Sequence, residues 1–322
     1  MAEMSLERAA EVGARLVAAL DGCVVGSQAA AEALVAAYMA GGHVLVEGPP
    51  GLGKTLLARA FASALGLGLA RVQFTPDLMP TDVTGGNVFD QQSGAFRLWR
   101  GPVFSPVLMG DEINRTPPKT QSALLEAMQE LQVTIDGVTY GLDPSFFVIA
   151  TQNPIEFEGT YPLPEAQLDR FLVRVTLGLP AAEAEVEVYR RAVRGSLAGW
   201  NREVELPSPL VTAGEAAALR QASRLAHVAE ELLGYLQALA AQVRSSPHVE
   251  LGPSPRGGLA LLELGRAGAV LEGRGHVIPD DLRRFVGPCW GHRVIVKPES
   301  ELEGLGVSHI LEQAAAAVPV PR

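Results

Sequence analysis

The stretch HVLVEGPPGLGKTLLARAFASALG, residues 43 to 66, runs from a short apolar strand pattern through a glycine-rich turn into an alanine- and leucine-rich segment. Gly48, four residues, and then Gly53-Lys54-Thr55 match G-x-x-x-x-G-K-[ST] without deviation. Each part has a mechanical reason. In the loop Gly48-Pro49-Pro50-Gly51-Leu52-Gly53 the glycines allow positive φ, so that backbone N–H groups point at phosphate oxygens. Lys54 is placed to reach the β- and γ-phosphates as a point charge, and the Thr55 hydroxyl to ligate Mg²⁺. A helix opening at Lys54 adds the partial positive charge of its N-terminus. His43 to Glu47 alternates into a strand, Leu57, Phe61 and Leu65 recur every four residues behind the loop, and Gly66 stands at the expected C-cap. The order strand, loop, helix predicts a nucleotide-binding α/β fold.

A second stretch supplies carboxylates. Val107, Leu108 and Met109 form a short apolar run of the kind buried in a parallel sheet, and it ends in Asp111-Glu112. A carboxylate at the C-terminal edge of such a strand lies beside the phosphate loop, where ligands bind in open α/β sheets. Asp111 is placed to hold Mg²⁺ through its water shell, and Glu112 to polarise an attacking water as general base. Pro117-Pro118 then starts a helix with Leu124, Leu125, Met128 and Leu131 on one face.

Three further polar residues have two readings each. The apolar run FFVIATQNP ends in Asn153, either a turn signal before Pro154 or a hydrogen-bond partner of the γ-phosphate or lytic water. Arg170, in EAQLDRFLVRVTL, is either a surface ion-pair partner or a stabiliser of transition-state charge. Arg256 follows Pro255 at the start of a helix, where an exposed arginine is equally ordinary.

Composition sets outer limits. The chain has 322 residues, enough for two domains, and 48% hydrophobic against 19% charged residues supports a packed core. A net charge of -10 argues against gripping nucleic acid, which needs clustered Lys and Arg. Cys23 and Cys289 have neither metal-ligand nor disulfide-framework spacing, which fits a reducing compartment. The N-terminal MAEMSLERAAEVGARLVAAL reads as an amphipathic helix, and no run is long enough to insert into a membrane. The expectation is a soluble cytoplasmic protein.

Together VEGPPGLGKTLLAR, DEINRTPPKTQSALLEAMQE, ATQNPIEFEGTYPLPEAQLDRFL and SPRGG resemble an AAA+ ATPase, and more narrowly the MoxR family. Weaker similarity continues through VIPDDLRRFVGPCWGHRV, so nearly the whole chain is covered. The resemblance implies ATP and Mg²⁺ as cofactors. It makes Lys54 and Thr55 the Walker A pair, Asp111 and Glu112 Walker B, Asn153 sensor 1 and Arg256 the sensor 2 arginine of the lid. Arg170 is similar to the arginine finger inserted into a neighbouring subunit's site, and Arg115 is a second candidate for that role. Gly110 departs from the alanine more usual in the family, small for small.

Two segments read as β-hairpins: residues 85 to 104 around Gln92-Ser93-Gly94, and 131 to 142 around Asp136-Gly137. They resemble the hairpins that interrupt helix 2 and precede sensor 1 in MoxR-like proteins, where they would face a ring's pore. Apolar β-type runs lie before residue 178 and almost none after it. The implied fold is an α/β AAA+ P-loop core, a parallel five-stranded sheet between helices with β-hairpin inserts, followed by an all-helical lid. The expected divisions are 1–180, a connection over 181–205, and a lid over 206–322. Arg190, Arg191 and Arg194, and Arg283 with Arg284, read as solvated faces beside acidic neighbours.

The resemblance implies a ring, a hexamer, closed by cyclic symmetry. It implies an ATP-hydrolysing chaperone that remodels or activates protein complexes, with a protein client and a von Willebrand factor A-domain partner. The alternatives are a DNA-translocating motor, since minichromosome-maintenance helicases share both hairpins, and a metal-chelatase motor subunit. The acidic charge, and Asp136 rather than Lys at the hairpin turn, oppose the first. A nucleotide-gated scaffold is opposed by the intact Glu112.

Overall fold

Strands covered by helices on both faces are mostly apolar, and Val44–Glu47 (β1) is buried at every position rather than alternating. The computed structural model describes residues 4–154, 159–193 and 205–321. Further strands are Leu69–Gln73 (β2), Gly85–Asp90 (β3), Ala95–Arg100 (β4), Val107–Asp111 (β5), Gln132–Ile135 (β6), Val138–Gly141 (β7), Phe147–Gln152 (β8) and Val173–Thr176 (β9). Five of them form the central sheet in the order β2-β5-β8-β1-β9, every neighbouring pair parallel. Period-two alternation splits their side chains between two cores. Val44, Val46, Met109, Ile149 and Val173 face one; Leu45, Leu108, Val148 and Ala150 face the other.

The first core is closed by Leu6–Cys23 (α1), Gln28–Met39 (α2) and Lys54–Ala64 (α3). Ser5 caps α1 by accepting the Arg8 N–H at 3.2 Å. Pro80–Thr84 (α4) and Pro118–Glu130 (α5) cover the second face, with Leu124, Leu125 and Met128 of α5 buried. Leu131, expected on that same face, instead ends α5 in a left-handed conformation, φ 50°, and is 43% exposed. The chain must reverse there because β6 begins at the next residue.

Both hairpins form. β3 pairs antiparallel with β4, Phe89 opposite Phe96, and β6 with β7. The second turn takes positive φ at Asp136 (48°) and Gly137 (80°), which matches the twist of a tight hairpin. Asn87 of the first donates to Asp136 of the second at 2.8 Å.

The later half is helical: Glu165–Leu168 (α6), Ala182–Val193 (α7), Ala213–Leu219 (α8), Glu230–Arg244 (α9), Pro255–Leu271 (α10), Pro279–Trp290 (α11), Pro298–Leu302 (α12) and Val307–Ala317 (α13). It is not wholly helical. Val249–Leu251 (β10) pairs antiparallel with Ile295–Val296 (β11), burying Val249 and Val296 where α9 and α11 end. The first core runs without interruption from α1 and α2 into α9, α10 and α11. Residues 155–158 of the third family-like stretch, and Arg194 with the rest of 194–204, lie outside the described residues. Among those described, no helix is long and apolar enough to cross a membrane.

Two buried arginines fasten the helical half to the sheet. Arg220 donates to the carbonyls of Gly41 (3.1 Å) and Gly42 (3.2 Å) and lies over the rings of Tyr38 and Phe147. Its burial pushes its pKa down to about 10. Arg293 donates to the Asp169 carboxylate at 2.6 Å and to the carbonyls of Asp169, Phe171, Leu172 and Cys289. Arg293→Ala is expected to cost about 3 kcal/mol in urea denaturation, because it strands the buried carbonyls and leaves the Asp169 carboxylate with Arg256 alone at 3.5 Å.

His43 and His292 make the fold pH-sensitive. His43 Nδ1 accepts the Val148 N–H at 3.0 Å and Nε2–H donates to the Met128 carbonyl at 3.0 Å, so the neutral ring fills both positions. Burial pushes its pKa down to about 3; burial, reinforced by Arg293, does the same to His292. Unfolded, each takes a proton near 6.5. Between those values the unfolded chain binds more protons, so stability falls as pH drops below 6.5. The expected loss from pH 6.5 to 5 is roughly 3 kcal/mol for the two rings, read by denaturation at each pH.

Candidate nucleotide site

A parallel sheet points every strand the same way, so whatever follows β1, β5 and β8 gathers at one edge. Gly51, Gly53, Lys54 and Thr55 after β1, Asp111-Glu112 at the end of β5 and Asn153 after β8 line one cavity of about 420 Å³. Gly51 and Gly53 hold φ of 87° and 82°, which turn the loop before α3 opens at Lys54. A β-carbon on Gly48 would stand 2.5 Å from the Leu177 carbonyl oxygen, so only glycine lets the loop pass β9's exit. Pro49 is half-buried, Pro50 is exposed on the cavity wall, and Leu52 packs against the first core. The Lys54 ammonium donates to the Gly48 carbonyl at 2.5 Å and to the Gln152 carbonyl at 3.5 Å, which holds it across the loop.

The carboxylates are held by neighbours on two strands. Asp111 accepts from Arg71 Nε at 2.6 Å and from the Thr151 hydroxyl at 3.2 Å. Glu112 sits in the left-handed region, φ 58° and ψ 51°, an uncommon conformation for its type. Its N–H donates to the Thr151 hydroxyl at 3.0 Å; its carboxylate accepts from Gln73 at 2.6 Å and pairs with Arg115 at 3.2 Å. Lys54, Arg59 and Arg71 line the same cavity as these two carboxylates. The donor set fits a polyphosphate and a hard divalent cation: backbone N–H groups and cations for phosphate, the Thr55 hydroxyl and Asp111 oxygens for Mg²⁺.

On the other flank of the loop a second cavity of about 490 Å³ is lined by Val24, Val25, Leu52, Leu177, Val188 and Tyr189 among others. Its lining is mostly apolar, of the kind that suits a nucleobase.

Arg170 and Arg256 lie elsewhere. Arg170 precedes β9, and the Leu172 N–H donates to the His43 carbonyl at 2.9 Å, which fixes this segment at the N-terminal edge of the sheet. The loop begins at the opposite end of β1, roughly 15 Å of strand away. Arg256 pairs with Asp169 at 3.5 Å, and with Arg170 and Arg293 it lines a groove beside Gly41 and Gly42. Neither arginine lines the loop cavity. The sequence reading missed Arg59, Arg71, Gln73 and Thr151. Only Arg71 and Gln73 left a signal, two polar residues alternating in the otherwise apolar LARVQ.

Residues 43–173 match the model of the ATPase family associated with various cellular activities, and residues 241–314 match the AAA lid domain. The chain is 42% identical over 298 residues to the uncharacterized protein YeaC of Bacillus subtilis, covering 92% of this chain and 91% of that one. It is 35% identical over 309 residues to chaperone MoxR1 of Mycobacterium tuberculosis, covering 93% and 80%. A crystal structure of a Cytophaga hutchinsonii protein superposes with a TM-score of 0.88 at 35% identity, covering 98% of this chain and 97% of that one. Loop, paired carboxylates, sheet order, lid and relatives agree: the chain belongs to the MoxR family of AAA+ ATPases.

Proposed function

We propose that this chain hydrolyses ATP in a ring whose complete active sites each span two subunits. One observation carries this reading: Arg170 and Arg256 stand together at the opposite edge of the sheet from Lys54 and Glu112. A closed ring brings that edge against the neighbour's loop cavity, and head-to-tail contacts close by cyclic symmetry, most simply as a hexamer. The loop from Gly48 to Gly53 and Lys54 bind the triphosphate, and Asn153 orients the water. Mg²⁺, when held through Thr55 and Asp111, supplies neutralising charge to the β- and γ-phosphate oxygens. Glu112 takes a proton as the water oxygen attacks the γ-phosphorus and the bond to the bridging oxygen breaks, leaving ADP and phosphate. The neighbour's Arg170, with Arg256 beside it, offsets the charge on the transferring phosphoryl group.

The work done is remodelling of protein complexes in the cytoplasm, on a protein client and with a von Willebrand factor A-domain partner. The chaperone name of the Mycobacterium tuberculosis relative supports the first part of this. The hairpin β3–β4 supports a protein contact, since Phe89 and Phe96 stack edge to face at 5.4 Å in solvent. A nucleotide half over 1–180 and a lid over 206–322 are the units that would move.

ATPase rate per subunit against protein concentration, with sizing in parallel, tests the mechanism. The rate is expected to rise with assembly, and Arg170→Ala and Glu112→Gln to be inactive although both bind ATP and assemble. Mixing the two variants equally should restore up to about a quarter of the sites, since some interfaces then combine both intact halves. A rate flat with concentration and indifferent to Arg170 would overturn the shared site.

A further inference from the structure

Arg71 is held differently from Arg274 and Arg293. The structural pair between Arg274 and Asp281 is two-pronged, both contacts at 2.7 Å, and Arg293 spends its donors on a carboxylate and backbone carbonyls. Arg71 touches Asp111 through Nε alone at 2.6 Å, and its two Nη groups make no hydrogen bond among the described residues. Its side chain is 54% exposed while that of Asp111 is 8% exposed. Most of a planar, five-donor fork is therefore left over on the wall of the loop cavity.

Its position says which part of a ligand it meets. β2 pairs with β5 so that Gln73 lies opposite Asp111 and Arg71 opposite Met109. Alternation puts Arg71 and Gln73 on the face that carries Asp111, and leaves Val72 facing the second core. The apolar cavity fit for a base lies on the β9 side of the loop, and β2 is the strand at the other margin of the sheet. A nucleotide laid across the loop from that cavity runs toward β5 and β2, terminal phosphate last.

We infer that Arg71 is a phosphate-binding residue of its own subunit, dividing its guanidinium between Asp111 and the terminal phosphate of the bound nucleoside triphosphate. This rests on the reading of the cavity as a nucleotide site. Arg71 then distinguishes triphosphate from diphosphate within one subunit, before any neighbour contributes. The bond to Asp111 aims the fork, and the free Nη groups suit two phosphate oxygens side by side.

Direct binding of fluorescent ATP and ADP analogues to the full chain, with Mg²⁺ and with chelator, tests this without relying on turnover. Arg71→Gln is expected to weaken ATP by roughly tenfold or more and ADP by less than about threefold. Arg71→Lys keeps the charge but loses the fork and is expected to fall between wild type and Arg71→Gln for ATP alone. It also provides the measurement should Arg71→Gln fail to fold. Equal losses for the two nucleotides, or none, in a variant that melts like wild type would overturn the inference and leave Arg71 a neutraliser of Asp111. Failure of the wild-type chain to bind either nucleotide would instead sink the nucleotide reading, and this inference with it.

Discussion

Arg293 is the contact on which the arrangement of the two halves depends. Its side chain is 4% exposed, and its N–H groups meet the Asp169 carboxylate and the carbonyls of the segment leading into β9. A buried guanidinium is tolerable only when its donors are satisfied, so the lid can hold this residue inside in few orientations. His292 Nε2–H to the Phe171 carbonyl and Arg174 to the Gly291 carbonyl act on the same junction. Once that junction is set, α10 must begin beside Asp169, and Arg256 is carried to Arg170 rather than to the loop.

The rest follows from the direction of the strands. Five parallel strands collect the loop, Asp111, Glu112 and Asn153 at one edge because each residue ends or follows a strand. The same parallelism sends Arg170, which precedes a strand, to the other edge. One subunit thus carries two unlike faces, one with the glycine-rich loop and the paired carboxylates and one presenting arginines. That polarity suits the head-to-tail assembly proposed above.

Contacts also run between the faces inside one subunit. Arg174 bridges the Gly291 carbonyl of the lid and the Glu47 carboxylate, at 2.6 and 3.6 Å. Glu47 in turn accepts from Gln152 at 2.5 Å, and the Gln152 carbonyl lies against Lys54. The lid junction and Lys54 are therefore joined through β9, β1 and β8 by polar contacts in the sheet itself.

Much of this was legible in the chain. The loop, the Asp111-Glu112 pair, Asn153 and both hairpin turns lie in contiguous runs whose conformations are set by neighbours a few residues away. Glycine at positive φ, a strand ending in carboxylates and Asp-Gly between apolar runs carry their own geometry. Leu131 misled because helical spacing continued past the point where the next strand forced a reversal. Arg71, Gln73 and Thr151 were not legible as site residues, since each acts on a carboxylate supplied by a different strand. Nor was the small β10–β11 pair, whose partners stand far apart in the chain. What the sequence determined by itself is the local machinery for holding a nucleotide, and the family. Only the tertiary structure decided where Arg170 and Arg256 stand, because that depends on strand direction and on one buried guanidinium joining segments distant in sequence.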